Sequence, residues 1–221
     1  MDSIGTLVLY LPVLLLSVVL HEYAHARVAL AQGDQTPLML GRVTMNPLAH
    51  LDPVGSLLVP LLLWVSQAGF LFGWARPVKV NSRNFRNYRR GDILVSLAGV
   101  AANFLLAFVC LGVVVLATYL SRGLPAGAAE GMGALGRMAR FGVLFNILLG
   151  VFNLIPIPPL DGSHVLYHLL SPSLGARYRQ MGQYGIFVLI AVFFVPGLLS
   201  VLLSPVWLLD GLAERLIRLL V

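Results

Sequence analysis

The sequence contains few charged residues and a single cysteine. Charged side chains make up 11% of its 221 residues, whereas a soluble domain carries about 25%. Hydrophobic residues make up 58%, and the mean hydropathy is +0.88. This composition excludes an ordinary soluble domain and predicts an integral membrane protein. Cys110 lies in an apolar run, so a disulfide framework is excluded as well.

The charges that are present are mostly basic, and the net charge is +6. They lie in the linkers between apolar stretches, as the positive-inside rule expects of cytoplasmic loops. We therefore interpret the charge as a topology signal, and expect contact with membrane lipids but no nucleic-acid partner. The linker 73–92 is predicted to be cytoplasmic because it holds one acid against six basic residues, which are Arg76, Lys79, Arg83, Arg86, Arg89 and Arg90.

The apolar stretches predict an all-α polytopic protein of the cell membrane with about five to six membrane segments. Five stretches carry this prediction, at 4–31, 54–72, 93–120, 138–155 and 184–203. The amphipathic tail 205–221 fits either an interfacial helix or a short sixth span. The stretch 54–72 contains Pro60 and fits either a crossing or a re-entrant turn, of which the re-entrant turn is favoured.

Two linkers have the alternating pattern of short strands. Residues 37–44 and 77–81 are both bounded by turn-forming residues. Strand edges at membrane depth must be paired or shielded by protein. We therefore expect the two strands to form a small membrane-associated β-sheet beside the first helix. The edge of such a sheet would bind an extended polypeptide by strand addition.

The first apolar stretch carries the sequence His21-Glu22-Tyr23-Ala24-His25. Two histidines four residues apart lie on one face of a helix and can bind one metal ion together. A catalytic zinc site needs three protein ligands and one open position for water. Glu22 is placed to accept a proton from that water as a general base. The third ligand must come from elsewhere in the chain.

Asp161 is a candidate for a functional site. It follows Pro156, Pro158 and Pro159, which cannot continue a helix. Unwound backbone at membrane depth is tolerated where it lines a cavity or packs within protein. An acid at the end of such a break is a candidate functional residue, although a simple helix exit at the surface would give the same pattern.

These motifs together resemble the site-2 protease family of intramembrane zinc metalloproteases. The resemblance rests on His21–His25 and on the sequence 153–162, with further similarity at 46–55, 72–78 and 97–103. It implies one Zn²⁺ per chain, bound by His21, His25 and Asp161, with Glu22 as the general base. It also implies an active site toward the cytoplasmic side. Two departures touch no ligand: the proline that often follows Gly99 is absent, and Ser163 replaces a glycine.

The same resemblance indicates a single intramembrane metalloprotease domain over 1–221. The catalytic core is expected at about 1–170 and the C-terminal helices at about 184–221. The expected substrate is a transmembrane protein, cut in or near its membrane segment. The alternative from another class is a membrane metal transporter or metal-binding protein without protease activity. A catalytically silent relative is a third alternative, which intact Glu22 and Asp161 disfavour.

Four further polar positions have two interpretations each. Asn103 and Asn153 either bind the substrate backbone or oxyanion, or stabilise helix packing. His50 either polarises the scissile carbonyl or is a loop histidine bonded to a nearby carbonyl. His164 and His168 are also four residues apart, but no third ligand is evident beside them, so a second metal site is disfavoured.

Overall fold

The computed structural model describes residues 3–66 and 75–221, and its regular structure there is helical. Two 3₁₀ turns, at Ser82–Asn84 and Gly182–Tyr184, and a π-helical stretch at Pro53–Leu58 accompany eleven α-helices within these ranges. The α-helices are α1 Ser3–Gln32, α2 Thr36–Met39, α3 Pro47–His50, α4 Val59–Val65, α5 Tyr88–Ser121, α6 Ala126–Leu154, α7 Asp161–Leu169, α8 Pro172–Met181, α9 Gly185–Phe194, α10 Leu198–Leu202 and α11 Ser204–Leu220. The prediction of a helical protein is confirmed for this part of the chain.

Three of these helices are long and apolar enough to cross a membrane, judged by length and composition. They contain the stretches Leu9–Gln32, Tyr88–Ser121 and Ala126–Leu154, of 24, 34 and 29 residues. A crossing needs about 20 residues. The predicted segments 4–31 and 93–120 therefore lie within α1 and α5. The predicted segment 138–155 matches the second part of α6, which begins twelve residues earlier, at Ala126.

The other predicted segments are shorter or interrupted. The stretch 184–203 breaks at Pro196-Gly197 into α9 and α10, of 10 and 5 residues, and neither is long enough to cross alone. The stretch 54–72 begins with the π-helical residues and α4, and its residues 67–72 lie outside the described part. Whether it crosses or turns back stays a prediction. The tail 205–221 forms α11, which packs on α6.

The helices α1, α5 and α6 pack together through small residues. A Cβ atom on Gly142 of α6 would lie 2.7 Å from Cys110 Sγ on α5 and 3.2 Å from a methyl of Val13 on α1. Helices in lipid gain little from the hydrophobic effect, so close approach and dispersion contacts hold them together. Packing this close fixes the register of the three helices, and the candidate site depends on that register.

The predicted β-sheet is not found among the described residues. The strand prediction for 37–44 is wrong, because α2 occupies Thr36–Met39 and a turn follows at Gly41, whose φ is +64°. Pro37 sits in the first turn of α2, where its fixed φ favours a helix start. Residues 77–81 have no regular structure and are not paired as a strand, and two of their N–H groups are used elsewhere: Val78 N–H donates to Glu22 and Asn81 N–H donates to Asp34.

Asp34 joins the end of α1 to the segment before α5. Its side chain is fully buried and accepts hydrogen bonds from Thr36, from Asn81 N–H at 2.7 Å and from Asn84 Nδ2 at 2.8 Å. Burial raises the pKa of Asp34, but the hydrogen bonds from Thr36, Asn81 and Asn84 outweigh it and hold the pKa below its ordinary value of 3.8. The ionised carboxylate therefore stabilises this junction.

Replacing Asp34 with Asn should destabilise the fold by about 1.5–3 kcal/mol, because buried donors lose a charged acceptor. Since the pKa of Asp34 is lowered on folding, this stability is complete above pH 3.8 and is lost as pH falls through the folded-state pKa. Thermal unfolding in detergent across pH checks both statements. The exposed Glu130→Gln serves as the control. A gap between wild type and Asp34→Asn that stays constant at acid pH would contradict the account.

Candidate metal centre

The structure brings His21, His25 and Asp161 together, although Asp161 is far from the histidines in sequence. The two Nε2 atoms are 3.0 Å apart, and each lies 3.3 Å from Asp161 Oδ2. Among the described residues, these form the one group of three metal-ligating side chains that converge on a point. The histidines lie one turn apart on α1 and are buried, and Asp161 is the first residue of α7.

The other nitrogen of each imidazole is held by α5. His25 Nδ1 lies 2.7 Å from the Val95 carbonyl, which can only accept, so Nδ1 carries the proton. His21 Nδ1 lies 2.6 Å from Asn103 Oδ1. A neutral imidazole that donates from Nδ1 has a lone pair on Nε2. Both Nε2 lone pairs are therefore available to a metal ion.

The orientation of the Asn103 amide follows from a chain of buried hydrogen bonds. Asn146 Nδ2 donates to the Gly142 carbonyl at 2.9 Å and to Ser17 Oγ at 2.8 Å. Asn146 Oδ1 must then accept from Asn103 Nδ2, at 2.8 Å, which turns Asn103 Oδ1 toward His21. Ser17 Oγ donates in turn to the Val13 carbonyl at 2.7 Å. The fixed direction of the Gly142 carbonyl thus sets the tautomer of His21.

The arrangement of these three side chains fits a bound metal cation. Two imidazole lone pairs and one carboxylate oxygen meet without a proton between them, and these partial negative charges repel each other. Asp161 Oδ2 is buried and has no hydrogen-bond partner. Buried polar atoms are nearly always satisfied, so an orphan at the meeting point of two lone pairs indicates a missing positive partner. Two nitrogens and one oxygen form the donor set of a catalytic zinc site with one open position.

Glu22 lies on α1 between the two histidines, and the non-helical segment 75–81 passes beside it. Its Oε2 accepts a hydrogen bond from Val78 N–H at 2.8 Å. A second bond, from Arg76 N–H to the His50 carbonyl at 2.8 Å, holds the same segment to α3. The backbone of this segment therefore orients the Glu22 carboxylate at the edge of the candidate centre.

Gly99 on α5 lies against the two imidazoles. A Cβ atom there would overlap His25 Nε2 and lie 2.6 Å from His21 Cε1, a distance that no side chain tolerates. The α5 backbone can approach the histidines this closely only because the residue is glycine. Gly99, Ser17 and Asn146 had no role predicted from the sequence. The signal available for Gly99 was its position one helical turn before Asn103, on the same face of α5.

The predicted secondary residues have different outcomes. The Asn103 side chain is 1% exposed and both of its amide atoms are used behind His21, as in its helix-packing interpretation, and its contact with a substrate or oxyanion stays a prediction. Asn153 donates to the Leu149 carbonyl within α6, and its contact with a substrate stays a prediction. His50 is buried with Nε2 2.9 Å from the Thr44 carbonyl, as in its loop interpretation, while its Nδ1 has no partner.

The second histidine pair contacts an acid that the sequence analysis counted only as a linker charge. Asp92 Oδ2 lies 2.7 Å from His168 Nε2 and 3.3 Å from His164 Nδ1. The Asp92 carboxylate raises the pKa of His164, against the opposing effect of burial. These three side chains do not converge on a point as His21, His25 and Asp161 do. A second metal site at His164 and His168 therefore remains disfavoured.

Replacing Gly99 with Ala should lower metal affinity by roughly 100-fold or more. The added methyl would push both imidazoles aside, so that their Nε2 lone pairs would no longer point at a common position. Gly112→Ala on the same helix is the matched control, because a Cβ atom there would meet nothing within 4 Å. Metal content of both purified variants, measured by elemental analysis, checks this expectation. A Gly99→Ala protein with wild-type metal content would refute the contact.

Comparison with known proteins places these observations in a family. A family model described as peptidase family M50 matches residues 121–196, a range that includes Asp161. A Bacillus subtilis protein named "Putative zinc metalloprotease YwhC" is 40% identical over 192 residues, which are 87% of this chain and 82% of the relative.

Relatives named "Putative zinc metalloprotease Rip2" match nearly the whole chain. The Mycolicibacterium smegmatis protein is 32% identical over 201 residues, covering 90% of this chain and 71% of its own length. The Mycobacterium tuberculosis H37Rv protein is 31% identical over 216 residues, covering 96% and 78%. No solved structure matches the chain. From the identity and coverage of these relatives, the chain belongs to peptidase family M50, the family of the site-2 proteases.

Proposed function

We propose that this protein is a zinc-dependent intramembrane endopeptidase that hydrolyses a peptide bond in or near a transmembrane segment of another protein. Membership of the family supports a membrane-associated metalloprotease. The observation that carries the finer proposal is the convergence of His21 Nε2, His25 Nε2 and Asp161 Oδ2 beside Glu22. The two histidines lie on α1, which is long and apolar enough to cross a membrane.

His21, His25 and Asp161 would hold one Zn²⁺, which when bound lowers the pKa of a water molecule and polarises a carbonyl group. The Val95 carbonyl and Asn103 Oδ1 keep the two Nε2 atoms turned toward Asp161 Oδ2. Such outer partners fix the ring orientation and raise the basicity of ligand histidines. Gly99 leaves room for both rings at the surface of α5.

Glu22 acts as the general base. Its carboxylate takes a proton from the attacking water as the new C–O bond forms at the scissile carbonyl. It then gives that proton to the leaving amine nitrogen as the C–N bond breaks. The hydrogen bond from Val78 N–H to Oε2 holds the carboxylate in one orientation through both transfers.

The substrate must be extended where it is cut, because a helical backbone uses its carbonyls in internal hydrogen bonds. The non-helical segment 75–81 lies beside Glu22, to which Val78 N–H donates. A non-helical backbone next to the catalytic base supports binding of an unwound stretch of substrate alongside it. The substrate is accordingly a transmembrane protein with a segment that unwinds readily.

We place the active site toward the cytoplasmic side of a multi-pass protein in the cell membrane. The exposed Arg27 follows His21 by six residues, about 9 Å along the helix. The segment before α5 and the first turn of α5 together carry six exposed basic residues, which are Arg76, Lys79, Arg83, Arg86, Arg89 and Arg90. Because basic residues collect on the cytoplasmic side, both features support this orientation.

Replacing Glu22 with Gln should keep the metal and lower the cleavage rate by about 10²- to 10⁴-fold, since the amide cannot accept the proton. The assay uses purified protein in detergent and a set of single-span substrate proteins, with elemental analysis of the same samples. The control is the exposed Glu130→Gln, which should match wild type in both measurements.

The same experiment separates the protease from a metal transporter. A transporter has no need of a base at Glu22, so wild type and Glu22→Gln would bind metal alike and neither would cut. A Glu22→Gln protein that cuts like wild type would show that Glu22 is not the general base. Wild-type protein that binds no metal would contradict the proposed metal site.

A further inference from the structure

We propose that Asp92 is a positioning residue that holds α7 against α5 and thereby sets Asp161 against His21 and His25. The inference rests on the proposed metal site. Asp92 is buried near the start of α5, and its carboxylate contacts two histidines of α7. It touches none of the atoms that the mechanism uses, so its role would act through the helix that it binds.

Asp161 needs such a support because the chain before it is not helical. Residues 155–160, with three prolines, separate α6 from α7, so helix continuity does not transmit the position of α6 to Asp161. Side contacts must fix the short helix α7 instead. One contact is at its start, where Gly162 packs so close to the Leu154 carbonyl that a Cβ atom would overlap it.

The second contact is at the other end of α7. His168 follows Asp161 by seven residues, which is two helical turns and about 10 Å along the axis. The two residues therefore share one face of α7, and His164 lies between them on that face. The contacts at Gly162 and His168 therefore hold α7 near both of its ends.

On α5 the spacing is the same. Gly99 follows Asp92 by seven residues on the same face, and it touches the imidazoles. The contact of Asp92 with His168 is therefore two helical turns away from the contact of Gly99 with the imidazoles. The helices α5 and α7 run antiparallel and come together at Asp92–His168 and again near Asp161. The contact at Asp92–His168 therefore limits how far Asp161 can lie from His21 and His25.

The junction is built to be rigid. The Asp92–His168 contact is 2.7 Å long and both side chains are buried, which strengthens a charge-assisted hydrogen bond. The rings of Tyr88 and Tyr167 pack on His168 with centroids 5.2 and 4.8 Å away. Arg179 of α8 lies over the Tyr167 ring at 5.1 Å and covers the junction from outside.

The test weakens the Asp92–His168 contact between α5 and α7 in two variants and compares them with the loss of a contact between two other helices. Asp92→Asn removes the charge at the α5–α7 junction, and His168→Phe keeps a ring there but removes its donor. Asp210→Asn is the matched control, because Asp210 pairs with Arg140 at 2.7 Å between α11 and α6. Zn²⁺ affinity is measured by chelator competition in detergent, and the visible absorption of the Co²⁺-loaded protein reports the ligand geometry. Thermal unfolding is followed on the same samples.

Asp92→Asn and His168→Phe should bind Zn²⁺ roughly 10- to 100-fold more weakly and change the Co²⁺ spectrum, as loss of an outer support does. Asp210→Asn should lose thermal stability but keep the wild-type affinity and spectrum. If Asp92→Asn does not fold, His168→Phe decides.

A folded variant at either position with wild-type affinity and spectrum overturns the inference, as does an equal loss in Asp210→Asn. Metal-free wild-type protein instead overturns the proposed function.

Discussion

The candidate site depends on where two imidazole protons lie. His25 Nδ1 faces the Val95 carbonyl and His21 Nδ1 faces Asn103 Oδ1, so both protons point away from the centre and both Nε2 lone pairs point into it. Without these two acceptors, either ring could turn its N–H toward the other and satisfy it by a simple hydrogen bond. With them, the lone pairs and Asp161 Oδ2 are left facing each other, and a metal ion is the natural partner.

The helix α5 supplies most of this arrangement from one face. Its residues 92, 95, 99 and 103 are spaced by three or four, so they form a single stripe along the helix. The stripe contributes a carboxylate contact to α7, an acceptor for His25, a gap for both rings and an acceptor for His21. A long helix is a precise scaffold, and close packing of α1, α5 and α6 through small residues keeps the stripe in register with the histidines.

The sequence was most informative where chemistry is encoded locally. The spacing of His21, Glu22 and His25 on one helix needs no knowledge of the fold, and Asp161 was identified by the proline-rich break before it and by the family resemblance. The three long helices followed from apolar runs. The strand prediction at 37–44 failed because an alternating pattern over a few residues is weak evidence. Pro37 favours the start of a helix, and Asp34 accepts a hydrogen bond from Thr36 N–H at that start.

What the sequence could not reveal depends on the register between helices. Residues 77–81 were predicted to pair as a strand, but the N–H groups of Val78 and Asn81 bind Glu22 and Asp34, which are distant in sequence. Asn103 and Gly99 could be identified as polar or small positions in an apolar helix, but their facing residues are fixed only by packing. Asp92 appeared as the one acid in a basic linker, and its partner His168 lies on a helix 76 residues away.

The most direct test of this account is X-ray absorption spectroscopy at the zinc edge on the purified protein. The account predicts about one Zn²⁺ per chain with two imidazole ligands, oxygen in the remaining positions, and zinc–nitrogen distances of about 2.0–2.1 Å. A spectrum with fewer than two imidazoles, a sulfur ligand, or no bound zinc would contradict it.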